Sequence, residues 1–218
     1  CRSPEGDPQP SGQQPLAEGM LLDKYRCFQE LKEAEKEHHY AVHFRRGYSG
    51  VAVIAPHGGE IEPGCLEIAE EVAGIEHTFY CFEGLKRAGS GDLHITSTSF
   101  DEPAALAAVR DATYVLSIHG CLGDEAAIYI GGLDIALKAR IRASLIAGGF
   151  SAEKHWSPYL QGIHPRNICN RGARGKGVQL ELPEGLRGLL FDGLDSRGRR
   201  NTRPLFGRLV TALRQALE

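Results

Sequence analysis

A chain of 218 residues with 42% hydrophobic content can bury one sizeable core and has no need of a second domain. Lys and Arg number 25 against 28 Asp and Glu, a net charge of −3, so the global basic signal of a nucleic-acid-binding protein is missing. No stretch approaches the roughly 18 consecutive apolar residues of a membrane-spanning helix.

Residues 1–19 are rich in Pro, Gly, Ser and Gln, which predicts a flexible lead-in to a domain over 20–218. Two readings of Cys1 stay open. It is the lipid-anchored first residue of a mature secreted or cell-surface lipoprotein, or the numbering starts arbitrarily and the domain begins at Met20. Localisation depends on which holds. The other cysteines (Cys27, Cys65, Cys81, Cys121, Cys169) are scattered, and no Cys-x-x-Cys pair points to a cysteine-rich metal site. Cys65, Cys81 and Cys121 lie in apolar stretches and read as small buried thiols, although spacing alone leaves disulfides open.

In chain order, Leu22, Tyr25, Phe28 and Leu31 predict a short amphipathic helix or turn-rich segment between Met20 and His38. Residues 40–45 alternate with strand period. Val51 onward is a buried strand that delivers His57 to its end, where Gly58 and Gly59 permit a sharp turn. Pro63 opens a helix to Ala73, closed by Gly74. His77–Phe82 reads as a strand, Leu93–Thr98 as a short extended piece with a Thr/Ser rim, and Glu102–Asp111 as a helix. Thr113–Ile118 is a further buried strand ending on His119-Gly120. Ala126–Ile130 (strand), Leu133–Ala147 (helix), Val178–Leu182 (strand) and Pro204–Leu217 (helix) follow. Strands alternating with helices predict a single α/β domain with a mixed, mostly parallel sheet covered by helices.

Two strands thus end on the same device, His57-Gly-Gly and His119-Gly, at the strand C-termini where α/β sites assemble. With one carboxylate they make a His₂Glu set, the protein ligands of a catalytic zinc. A lone strand-end histidine is more often structural; two, each followed by Gly and with an acid near, are not so easily dismissed. Glu60 and Glu62 both follow His57 closely, and spacing does not choose between them. Glu181 shares one strand face with Gln179, opposite Val178, Leu180 and Leu182, and is the candidate proton shuttle. Its alternative is a solvated glutamate on an edge strand. The run His164–Lys176 holds Arg166, Arg171, Arg174 and Lys176, with Asn167 and Asn170 and no acid. It reads as a loop able to hold carboxylate or phosphate, or as ordinary surface charge.

His57-Gly-Gly-Glu-Ile-Glu62-Pro-Gly, Phe82-Glu-Gly-Leu-Lys, Leu93-His-Ile-Thr-Ser-Thr-Ser-Phe-Asp-Glu-Pro103, Ser117-Ile-His119-Gly, Gly131-Gly132, Asn167-Ile-Cys-Asn-Arg171 and Gly175-Lys-Gly-Val-Gln-Leu-Glu181-Leu occur in that order. Together they resemble the phage and Bacillus poly-γ-glutamate hydrolase family from about Tyr25 to the C-terminus. The resemblance implies a zinc-carboxypeptidase-like fold and hydrolysis of γ-glutamyl amide bonds in an acidic polymer, with one Zn²⁺ per chain. It implies His57, Glu62 and His119 as metal ligands, leaving Glu60 to a supporting or substrate-facing role, and Glu181 as general base. Asn170-Arg171 is similar to the Asn-Arg pair with which zinc carboxypeptidases hold a substrate carboxylate, though there the pair lies between the metal ligands and here it follows both. Arg166 and Arg174 are expected to assist it. Two alternatives remain: a zinc amidase or carboxypeptidase for another γ-glutamyl or N-acyl amino-acid substrate, and a non-catalytic polyanion-binding module on the same fold.

Overall fold

A computed structural model describes residues 23–218. The lead-in, Cys1 and the proposed start at Met20 lie outside the described residues. Strands Tyr40–Arg45 (β1), Val51–Gly59 (β2), Thr78–Gly84 (β3), Tyr114–Cys121 (β4), Ala127–Gly131 (β5), Ser151–Glu153 (β6) and Val178–Pro183 (β7) form one sheet. Its order is β1-β3-β2-β4-β7-β5-β6. The four strands β3, β2, β4 and β7 run parallel, β1 and β5 pair antiparallel at either side, and β6 runs parallel to β5. Helices are Phe28–Ala34 (α1), Cys65–Ala73 (α2), Pro103–Arg110 (α3), Ile135–Ala147 (α4), Glu184–Leu190 (α5) and Pro204–Leu217 (α6). The mixed α/β sheet expected from the sequence is the observed one.

Side chains of the central strands alternate between two cores, as a two-residue period requires. Val51, Val53 and Ala55 of β2 face α2, α4, α5 and α6 with Leu116, Ile118, Leu180 and Leu182. Ala52 and Ile54 face the opposite side, with Leu31 of α1, Val109 of α3, Ile95 and Ile168. The second side is where the site forms, since Gln179 and Glu181 of β7 and Ser117 and His119 of β4 alternate out of the first core.

His57 belongs to that side only because β2 carries one extra residue. Ala55 pairs with Cys81 and Gly58 with Glu83, so three steps on β2 match two on β3. Without this bulge, odd-numbered His57 would follow Val53 and Ala55 toward α2. The extra residue switches the parity and turns the imidazole to the face of His119. Pro56 sits inside the bulge, where a missing N–H breaks no ladder bond. Gly58 is required there: a Cβ would stand 2.2 Å from Cys81 Sγ.

The topology places a crevice beside this bulge. From β2 the chain passes through α2 to β3 on one side, then returns through α3 to β4 on the other. The β2–β4 pairing ends at Ile54 opposite Ser117, and the strand ends part beyond it. Such a reversal of strand order is where α/β sheets bind ligands.

Three local expectations change. The first helix is confined to Phe28–Ala34 among the described residues. Leu93–Thr98 is extended only in part: Ser90–Leu93 is a 3-10 turn, His94 is extended, and Thr96 O accepts the Ser99 N–H. Both β6 and α5 are additions. Two glycines within α5 each cost about 1 kcal/mol relative to Ala. Leu186 and Leu190, 1% and 0% exposed, each return about 1.5–3 kcal/mol by burial, so packing wins. Cys27, Cys65, Cys81, Cys121 and Cys169 are free thiols; Cys65, Cys81 and Cys169 are buried, whereas Cys121 is half-exposed rather than buried.

Candidate metal centre

His57 at the end of β2, Glu62 in the turn that follows, and His119 near the end of β4 bring one ligand atom each within 4.8 Å of the others. His57 Nδ1 lies 2.9 Å from Glu62 Oε1 and 3.2 Å from His119 Nδ1, and His119 Nδ1 lies 3.6 Å from Glu62 Oε2. Ligands about 2.0–2.1 Å from a tetrahedral zinc stand about 3.3 Å apart, so these separations bracket that spacing.

The outward ring nitrogens decide the chemistry of the inward ones. His57 Nε2 is 2.9 Å from Ile95 O, and a carbonyl can only accept, so this nitrogen carries the proton. In the neutral ring Nδ1 is then a lone pair, aimed at a carboxylate and a second imidazole. His119 Nε2 is held by Ser117 Oγ at 2.9 Å and Ser97 Oγ at 3.4 Å. With His119 in the same tautomer, three electron-pair donors converge with nothing between them to accept. A divalent cation that takes nitrogen and oxygen ligands fits this donor set, and the outward bonds orient both rings for it.

Glu62 is fixed on its other side by the Gly120 N–H, which donates to Oε2 at 2.8 Å. Burial raises its pKa, but attraction to protons carried on the facing His57 and His119 rings outweighs burial and holds the carboxyl well below the usual range, as a cation held among the three would. Glu181 behaves oppositely. Burial and then the negative charge of Glu62 push it well above the usual range, against Gln179 and Arg187. β7 is interior, between β4 and β5, so Glu181 is not on an edge strand. It stands opposite His119 on β4 and Tyr129 on β5, 4% exposed, its Oε1 accepting from Gln179 Nε2 at 2.7 Å.

A model of the poly-gamma-glutamate hydrolase family matches residues 25–212. The chain belongs to this family. Among curated proteins it is similar to the UPF0714 proteins YndL and YmaC of Bacillus subtilis (strain 168). They are 39% identical over 81% of this chain and 70% of YndL, and 35% identical over 97% of this chain and 88% of YmaC. Among solved structures, a bacteriophage poly-gamma-glutamate hydrolase superposes with TM-score 0.84 at 32% identity, covering 89% of this chain and 96% of that one. A zinc-free YndL structure superposes with TM-score 0.85 at 36% identity, covering 90% and 98%. The protein is therefore a hydrolase of the poly-γ-glutamate hydrolase family.

The remaining predicted residues fall into two groups. Asn170 is buried and all its hydrogen-bonding positions are used. Its Nδ2 donates to Gly162 O and His164 O, while Oδ1 accepts from Leu133 N and Gly177 N. Arg174 donates to buried Asp134 at 2.8 Å and lies over the Tyr114 ring. Arg171 is exposed, its Nη1 reaching Phe100 O at 3.4 Å; Phe100 packs edge-on against His57. Arg166 is exposed and has no ion-pair partner among the described residues. Glu60 lies outside the donor cluster and pairs with Arg199 Nη2 at 2.7 Å.

Several neighbours of the site were not singled out from the sequence. His94 lies against His57, ring centroids 4.0 Å apart and the planes tilted by 35°, and its Nδ1 meets Asp23 Oδ1 at 2.6 Å. Ile95 O and Ser97 Oγ serve the two histidines, which gives the Thr/Ser-rimmed motif a structural role. Arg187 is buried and donates to the carbonyls of Pro63, Cys121 and Leu182, one on each segment that carries Glu62, His119 and Glu181. The only sequence signal for it was an arginine beside leucines just past the Glu181 strand.

Proposed function

We propose that the protein cleaves γ-glutamyl amide bonds of poly-γ-glutamate, with one zinc held by His57 Nδ1, Glu62 and His119 Nδ1 and with Glu181 as general base. The observation that carries the reading is the convergence of Glu62 and the inward ring nitrogens of His57 and His119 beside a buried carboxylate on the next strand. Zinc bound there would lower the pKa of a water to about 7 and polarise an amide carbonyl. Glu181 takes the water proton on Oε2, the oxygen Gln179 leaves free, and returns it to the departing nitrogen. Its raised proton affinity in the metal-free protein suits it to hold that proton between the two steps. Arg171, braced by Phe100 beside His57, and Arg166 orient a pendant carboxylate of the polymer. Asn170, whose amide positions are all used, and Arg174, paired with Asp134, support them by holding the loop and its wall. The basic segment 164–176 supplies local attraction for an acidic polymer on a protein of net charge −3.

The test is metal analysis followed by product sizing. Purified protein is expected to hold about one zinc per chain, to shorten poly-γ-glutamate, and to stop when the zinc is chelated. Glu181→Gln is expected to keep the zinc and lose about 100-fold or more in kcat. Full activity without metal would overturn the zinc reading, and full activity of Glu181→Gln would overturn the base.

A further inference from the structure

Gln179 and Asn167 are buried polar side chains, 4% and 5% exposed. They form a chain with a fixed direction. Asn167 Oδ1 accepts the Cys169 N–H at 3.0 Å, closing the 3-10 turn Ile168–Asn170, and this settles which end of the Asn167 amide is oxygen. Its Nδ2 therefore points at Gln179 Oε1, to which it donates at 2.8 Å. Gln179, with its oxygen thus engaged, turns Nε2 to Glu181 Oε1 at 2.7 Å. The backbone closes over this amide at Gly162, where φ is +58° and a Cβ would stand 2.9 Å from Gln179 Oε1. Each amide has one orientation, and the sequence of orientations starts from the main chain.

We infer that Asn167 and Gln179 are positioning residues: they lock the carboxyl of Glu181 by one oxygen so that the other is presented to the substrate water. The inference rests on Glu181 being the base. The direction matters because an inverted Gln179 would set its carbonyl oxygen against the carboxylate, replacing a donor by a repulsion. With Asn167 in place that inversion would also leave two N–H groups facing each other. The amide chain thereby excludes the wrong presentation of the base and supplies the right one, at no cost in reorganisation during turnover.

The test uses zinc-loaded protein and poly-γ-glutamate. Gln179→Met preserves length and removes the donor, and about 10- to 100-fold loss in kcat is expected, with KM within about 2-fold and zinc content unchanged. Asn167→Ser keeps an oxygen able to accept from Cys169 N but is too short to reach Gln179, and a smaller loss in kcat is expected. The decisive reading is the double variant. If Asn167 acts through Gln179, Asn167→Ser costs nothing further in the Gln179→Met background; an equal loss in both backgrounds would make Asn167 merely structural and overturn the chain. In zinc-loaded protein, one side-chain amide proton of Gln179 is expected to be shifted downfield in NMR spectra and to lose that shift in Asn167→Ser. Wild-type kcat in Gln179→Met, with Glu181→Gln inactive, would overturn this inference while sparing the base. An active Glu181→Gln would overturn both.

Discussion

Asp134 and Glu62 are both acids drawn into the protein just past a strand end, and the protein treats them differently. Asp134, fully buried after β5, is closed by its own chain: it caps α4 through the Leu137 N–H and takes the Arg174 guanidinium. Glu62, after β2, receives one backbone N–H, lies 4.0 Å from the Cys65 thiol, and otherwise faces ring nitrogens of His57, His119 and, at 3.9 Å, His94. One carboxylate is complete without any ligand; the other is complete only with a cation. A buried charge with a partner is architecture, and a buried donor set without one is a binding site.

Substitution should separate the two roles cleanly. The largest effect is expected from Glu62→Gln, which removes the charge and keeps the shape. Zinc affinity measured by chelator competition should fall by at least about 100-fold. The unfolding free energy of the metal-free protein should move by about 1 kcal/mol or less. Asp134→Ala should do the reverse, retaining zinc and losing about 2 kcal/mol in denaturant titration. About 1 kcal/mol of that is the lost cap and the rest the abandoned Arg174, which is partly solvated. If both variants lose zinc equally, or both lose only stability, the distinction fails.

Glu35 marks a middle case and the smallest effect. It accepts from Tyr25 Oη at 2.6 Å and Lys86 Nζ at 3.3 Å, and meets His39 Nδ1 at 2.7 Å. Burial raises its pKa, but these partners prevail and hold the carboxyl at about 2. A pKa below the unfolded value means the stabilisation is present above about pH 4.5 and is lost as pH falls through 4.5 toward 2. Wild type and Glu35→Gln should therefore differ in stability near neutrality by under about 1 kcal/mol and converge near pH 2. A difference that grows on acidification would sink this assignment.

The alternation of strands and helices was legible because the apolar runs are long and the glycines punctuate them. The two His-Gly strand ends were legible for the same reason. What was hidden is tertiary. The run from Val51 reads as an even strand ending at His57 before a glycine turn, whereas β2 continues to Gly59 and pairing with β3 reveals the extra residue that turns His57 to the other face. Nothing near Glu60 announces Arg199, 139 residues further on, yet that partner separates its role from Glu62. The basic loop reads as four similar cations, whereas Arg174 is spent on Asp134 and Arg171 rests on Phe100. Gln179 looked like a companion of Glu181 on one strand face, but its direction is set by an asparagine twelve residues earlier together with the Leu160 carbonyl.

His57 and His119 sit on interior strands of the sheet, so ordering them is part of folding rather than part of binding. The entropy of assembling the donors is already spent before any cation arrives. Metal should then act as a simple ligand of a folded protein, adding RT ln(1 + [L]/Kd) to its stability, about 2.7 kcal/mol at a free concentration of 100 Kd. Melting midpoints recorded across a buffered zinc series would read the affinity of the centre directly, without turnover and without substrate.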